Sequence, residues 1–96
     1  MDIKIKHNRK NHKFTATIDG YECTLNYRLP GENVIEYYHT FVPDALRGKG
    51  IAAQLVQAGL NFAEKNKMRV IPSCSYVSVY IQRNEKYKSL LGSEHL

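Results

Sequence analysis

The chain has 96 residues, 43% hydrophobic and 24% charged, with 14 Lys and Arg against 9 Asp and Glu and a formal charge of +5. That length supports one core and the composition is that of a globular domain, so residues 1–96 are read as a single domain and wholesale disorder is excluded. No apolar run approaches the ~20 residues of a membrane helix, so no membrane association is expected.

Residues 1–13 hold Lys4, Lys6, Arg9, Lys10 and Lys13 against Asp2, so the surplus is concentrated there. A basic surplus raises nucleic acid as a partner. The lysines, however, alternate with Ile3 and Ile5 and lack the interleaved aromatics of an RNA-binding sheet, so nucleic acid is the weakest reading. The run Met1-Asp2-Ile3-Lys4-Ile5-Lys6 also lacks the continuous apolar stretch of a secretory signal, and a cytoplasmic protein is expected. Cys23 and Cys74 make neither a disulfide framework nor a zinc site, and no metal is expected.

In chain order, Ile3–Lys6 alternates as a first strand. Lys13–Asp19 is β-branched and aromatic. Tyr21, Cys23, Leu25, Tyr27 and Leu29 place one apolar face on a third strand, and Asp19-Gly20 between these two runs is a hairpin signal. Pro30 to Asn33 turns the chain into a fourth strand, Val34–Val42. The spacing then becomes helical: Ile51, Leu55, Ala58 and Phe62 predict a helix to about Asn66. Met68–Pro72 is a short strand. Ser73 suits an N-cap for a second helix from Cys74 to about Arg83, and Glu85–Leu91 adds a final turn. The expected fold is α+β: a four-stranded antiparallel meander, then helix, short strand and helix.

The stretch Pro43 to Ala53 joins a strand to a helix through Arg47-Gly48-Lys49-Gly50. The first helical turn leaves backbone N–H groups unpaired and carries the positive end of the dipole, which together attract an anion. Gly48 and Gly50 allow close approach to the backbone, and Arg47 and Lys49 add charge. A phosphate or pyrophosphate suits such a cradle. Neither a Walker loop nor a dinucleotide fingerprint is present, and a basic, glycine-capped surface turn is the competing reading.

The run Arg47-Gly48-Lys49-Gly50-Ile51-Ala52 resembles the R/Q-x-x-G-x-G/A signature of GNAT-type (GCN5-related) N-acetyltransferases. With His39 to Pro43 before it, and Pro72 to Val77, Tyr80 to Arg83 and Tyr87 after it, the chain is similar to the small single-domain members of that family from about Ile3 to Leu91. The resemblance implies a minimal GNAT fold and an acetyl-coenzyme A donor. It implies pyrophosphate on the backbone of Arg47, Gly48, Lys49, Gly50, Ile51 and Ala52, and pantetheine beside Phe41 and Val42. It also implies splayed strands for the thioester and an amine acceptor, from a small molecule or a protein. The helices that the family usually places between the first two strands have no room here, and its last two strands are missing. The alternative to an acetyltransferase is therefore a coenzyme A-binding module without catalysis.

Five residues are catalytic candidates. Cys74, at a helix N-terminus where thiolates are favoured, could take an acyl group as a nucleophile, though most free cysteines only fill space. His39 suits a general base, because an imidazole exchanges protons near neutral pH. Glu36 is the rival base; strict alternation sets it on the face opposite His39 unless a β-bulge intervenes. The resemblance offers Tyr76 and Tyr80 as acids that reprotonate the leaving thiolate, with Tyr87 a weaker candidate. Tyr37, Tyr38 and Phe41 are expected to line the core and the groove walls, and Cys23 to lie in the core.

Overall fold

The computed structural model describes residues 3–92. Met1 and Asp2 of the alternating N-terminal run lie outside the described residues. Five strands form one sheet in chain order: β1 (Lys6–Asn8), β2 (Lys13–Ile18), β3 (Tyr21–Gly31), β4 (Val34–Phe41) and β5 (Arg69–Pro72). The first four pair antiparallel, and β5 returns parallel to β4 after helix α1 (Ile51–Lys65). A second helix, α2 (Ser75–Arg83), follows, then a 3-10 segment over Glu85–Leu91. This is the α+β order that the hydrophobic periods predict.

Both tight turns follow from residues that accept left-handed backbone. Asp19 (φ 53°) and Gly20 (φ 82°) close the β2–β3 hairpin as a two-residue turn between paired Ile18 and Tyr21. Positive φ at both positions matches the right-handed twist of the flanking strands. Asn33 (φ 59°) closes the β3–β4 turn, and its carbonyl accepts the Arg69 N–H at 2.8 Å, which fixes where β5 begins.

The ladder pairs Phe14 with Leu25, Ala16 with Cys23, Tyr27 with Tyr37 and Ile35 with Val70, so these residues share one face. All are buried, against Leu55, Val56, Leu60 and Ala63 of α1 and Val77 and Ile81 of α2. Gly59 lies where α1 crosses β3 and β4: a Cβ there would meet Leu25 Cδ2 at 2.7 Å and Tyr37 Cζ at 3.0 Å. The Tyr37 hydroxyl donates to the Gly59 carbonyl at 2.6 Å, so helix and sheet touch backbone to ring. The opposite face of the sheet carries Lys13, Thr15, Thr24, Asn26, Arg28 and Glu36, none of them buried.

Several expectations need correction. The first strand is Lys6–Asn8 rather than Ile3–Lys6; Ile3 and Ile5 pack at the core's edge outside the ladder. Tyr21 and Leu29, at the two ends of the alternating run, are exposed, because α1 covers only the middle of β3. Tyr37 is fully buried, as expected, but Phe41 is exposed rather than part of the core. Ser73 does not cap the second helix. The cap position falls on Cys74, no side chain closes it, and the Ser73 hydroxyl instead donates to Glu36 at 2.5 Å. A carboxylate one strand away offers that hydroxyl a charged acceptor, a stronger bond than a neutral cap provides.

Candidate functional site

One residue of β4 creates the site. The register runs Arg28 to Glu36 and Tyr27 to Tyr37, then jumps to Asn26 with His39 and Leu25 with Thr40. Tyr38 is the extra residue, a β-bulge. Side chains alternate along a strand, so the bulge reverses the parity beyond it. His39 joins Glu36 on the polar face, and Thr40 turns to the face of Leu25, toward α2. Strict alternation would have done the reverse.

The bulge also ends the pairing with β5. Those strands stay in register only to Tyr37 and Pro72, and Pro72 has no N–H with which to continue. The Cys74 N–H still reaches the Tyr37 carbonyl at 3.0 Å, and past it the chains part. A cleft of about 850 Å³ opens between them. Tyr38, His39, Thr40 and Val42 form one wall, and Ser73, Cys74, Ser75 and Tyr76 the other. Its far end is closed by Arg47, Gly48, Gly50, Ile51 and Ala52 at the start of α1.

That end has the form of an anion cradle. Gly50 is the N-cap of α1 at φ 76°, no side chain caps it, and Gly48 stands at φ 81°. A Cβ at either glycine would enter open space, so the approach to the backbone is clear. The N–H groups of the first turn have no intrahelical acceptor and carry the positive dipole end. Arg47 adds a guanidinium, already paired to Asp44 at 3.0 Å and largely exposed.

Cys74 lines the cleft, with Sγ 3.4 Å from the Thr40 hydroxyl. Burial by itself raises the thiol's pKa and is the largest single influence. The Thr40 side chain, the amides of Val77 and Tyr76 at the start of α2, and the backbone of Thr40 outweigh it together, and the thiol lies below its usual value. The amides act here as positive ends of dipoles rather than through a formed cap bond. Cys23 is the opposite case: fully buried, its thiol is pushed up by burial and then by Glu22.

The expected site residues divide accordingly. Cys74, His39, Tyr76, Val42, Arg47, Gly48, Gly50, Ile51 and Ala52 line the cleft. Glu36, Tyr80, Phe41 and Lys49 do not. Glu36 lies on the polar sheet face, bonded to Ser73 and 3.4 Å from Arg28. The Ser73 hydroxyl first, and Arg28 after it, hold its carboxyl below the usual value, which makes it a weak proton acceptor. Tyr80 packs on Tyr87, with ring centroids 6.1 Å apart, and burial raises its hydroxyl's pKa. Tyr87 is buried, and its hydroxyl donates to Asn61 at 2.7 Å. Phe41 points to solvent because Thr24, its partner, lies on the polar face. Thr40, Leu46, Ser73 and Ser75 also line the cleft and were not expected as site residues. Thr40 needed the bulge to be known, and Ser73 carried a capping signal that masked its cross-strand bond. Among the described residues no group of three or more His, Cys, Asp or Glu could hold a metal, and no helix is long and apolar enough to cross a membrane.

Comparison with known proteins agrees with this geometry. A GCN5-related N-acetyl-transferase family model matches residues 13–90. Protein NATD1 of Gallus gallus is 34% identical over 84 residues, covering 85% of this chain and 76% of that protein. Protein NATD1 of Homo sapiens is 33% identical over 84 residues, covering 85% and 74%. A GCN5-like protein from Staphylococcus aureus, solved by NMR, superposes with a TM-score of 0.74 at 30% identity, covering 96% of this chain and 91% of that one. With the meander, the glycine loop opening α1 and the splayed β4–β5 pair in place, the chain belongs to the GCN5-related N-acetyltransferase family.

Proposed function

We propose that the protein is an acetyl-coenzyme A-dependent N-acetyltransferase that passes the acetyl group through Cys74 to an amine. The observation that carries this reading is a single cleft lined both by an anion cradle at the start of α1 and by the Cys74 thiol, which polar neighbours hold below its usual pKa. In this reading the backbone of Gly48 to Ala52 takes the pyrophosphate, with Arg47 beside it, and Val42 flanks the pantetheine arm. The open space over Gly48 and Gly50 fits a bulky phosphate group.

The Cys74 thiolate attacks the thioester carbonyl. A bond forms between Sγ and the acetyl carbon, the bond from that carbon to the coenzyme sulfur breaks, and the coenzyme leaves as a thiolate that takes a proton. The Tyr76 hydroxyl, on the same wall, supplies it. An amine then attacks the acetyl-cysteine carbonyl, the Sγ–carbon bond breaks, and the electron pair returns to sulfur. His39 accepts the proton that the amine nitrogen sheds, and passing it through solvent to the Tyr76 phenolate restores both groups.

Calorimetric titration with acetyl-coenzyme A, followed by intact mass, tests this. Binding and a mass gain of one acetyl group in the wild type, lost in Cys74→Ala while binding persists, are expected. No heat at millimolar ligand overturns the reading. Binding without an adduct and without transfer to any amine favours the coenzyme A-binding module instead.

A further inference from the structure

The two walls of the cleft part beyond the bond from the Cys74 N–H to the Tyr37 carbonyl, yet the proposed chemistry needs groups from both. Tyr38 and His39 stand on the β4 wall, Ser73 and Cys74 on the other. Inside the cleft, the Thr40 hydroxyl of one wall lies 3.4 Å from Cys74 Sγ of the other. A second tie runs outside the cleft, over the polar face of the sheet. The Ser73 hydroxyl donates to Glu36 Oε2 at 2.5 Å. The other carboxylate oxygen, Oε1, lies 3.4 Å from Arg28 Nη1. The Arg28 guanidinium carbon stands 3.8 Å from the centroid of the Tyr38 ring. Four side chains thus join one wall to the other, and each end of this series adjoins a reacting group: Ser73 precedes Cys74, and Tyr38 precedes His39.

The backbone explains why Arg28 is the joint. Arg28 of β3 pairs with Glu36 of β4, and Glu36 pairs with Ile71 of β5, so the three lie side by side just before the ladder fails. Tyr38, the bulged residue, has no partner in the ladder, and it is the residue that Arg28 covers. Arginine suits this place because its planar group stacks on a ring while its edge meets a carboxylate.

We infer that Arg28 is a positioning residue for the transfer step: through Tyr38 on one side, and through Glu36 and Ser73 on the other, it holds His39 in place against Cys74. This rests on the transferase reading above. Acylation of Cys74 uses the coenzyme site and the wall that carries Cys74 and Tyr76, and does not call on Arg28. Transfer to the amine uses Cys74 and His39 together, so it is the step that depends on the tie. The Arg28 side chain is 57% exposed, and exposed ion pairs add little to folding, so its loss acts on geometry rather than on stability.

The full chain, acetylated by acetyl-coenzyme A and freed of the excess, is mixed with millimolar benzylamine, and intact mass follows loss of the acetyl group from Cys74. Arg28→Gln should take up the acetyl group at the wild-type rate and pass it on about fivefold more slowly. That is short of the ~100-fold that a displacement of about 1 Å can cost, because Thr40 and the Tyr37 carbonyl still hold the walls. Ser73→Ala should slow the same step, and the double variant should be no slower than the slower single one, because both act through Glu36. Lys13→Gln removes another exposed ion pair of the same face, Lys13 with Glu22 at 3.4 Å, and should leave both steps unchanged. Wild-type transfer in Arg28→Gln or Ser73→Ala, effects that multiply in the double variant, or equal slowing in Lys13→Gln each overturn the inference. So does slowing of acylation and transfer alike in Arg28→Gln, the mark of a merely structural residue. These outcomes defeat this inference alone. A wild-type chain that takes no acetyl group, or loses it to benzylamine no faster than S-acetylglutathione does, defeats the transferase reading and this inference with it.

Discussion

The cysteine, threonine and carboxylate around the cleft show how one hydrogen bond assigns a residue its chemistry. Cys74 and Cys23 are the same side chain, yet one thiol is drawn down by polar neighbours and the other is pushed up by burial. Thr40 is the neighbour that distinguishes them most directly, since its side chain is the largest influence lowering Cys74. Thr40→Val keeps the shape and removes the hydroxyl, so the pKa of Cys74 should rise. Alkylation by iodoacetamide near pH 7 should slow severalfold, with the midpoint of its pH profile moving up, and Cys23, buried, should stay unreactive in both proteins. An unchanged profile would mean that the helix amides alone set the thiol. Cys74 was legible in the sequence as a thiol at a helix start. Thr40 was not, because its orientation depends on an extra residue two positions earlier.

At the level of elements, the contact between α1 and the sheet is tighter than any periodicity conveys. Gly59 falls on the apolar stripe of α1, where a glycine costs helix propensity, about 1 kcal/mol against alanine. Its place is explained by Leu25 and Tyr37, which a Cβ would strike. Gly59→Ala should therefore destabilise the fold by about 1–2 kcal/mol in urea unfolding, the overpacking exceeding the propensity gain. A stabilised variant would show that Leu25 swings aside at no cost. The turns behave differently: Asp19-Gly20 and Asn33 were readable directly, because left-handed backbone selects few residue types. The ends of strands were less so. Nothing local distinguishes Leu29 from Leu25, and only the reach of the helix leaves one exposed and the other buried.

The whole molecule has an aromatic pile at the edge of the sheet, remote in sequence from the cleft residues. His7 stacks on Phe14 with centroids 4.1 Å apart, meets Phe62 edge-on at 4.5 Å, and its Nε2 is bonded to the Tyr27 hydroxyl at 2.7 Å. Burial, then the charges of Arg9 and His12, lower its pKa below the ordinary 6.5. The folded protein thus resists a proton that the unfolded chain accepts. The contribution of His7 is fully present above 6.5 and is lost as pH falls from 6.5 through the lower folded-state value. The thermal midpoint should drop between pH 7 and pH 5, and the drop should shrink in His7→Gln; an equal drop in that variant would place the effect elsewhere. The basic N-terminal segment, first noticed for its charge, therefore contributes His7 to the packed edge of the fold.

The sequence by itself determined the order of the elements, their α+β class, the glycine loop at the start of α1 and the cysteine at the start of α2. These follow from local rules: the period of apolar residues, backbone freedom at glycine, and the unpaired amides of a first helical turn. The tertiary structure decided which side chains meet. A bulge at Tyr38 reversed the faces of His39 and Thr40, Pro72 ended the ladder where the cleft begins, and Ser73 left the helix cap for Glu36. Register is a relation between two strands, and its effects on orientation pass to every residue beyond the slip, so no single segment of sequence contains it.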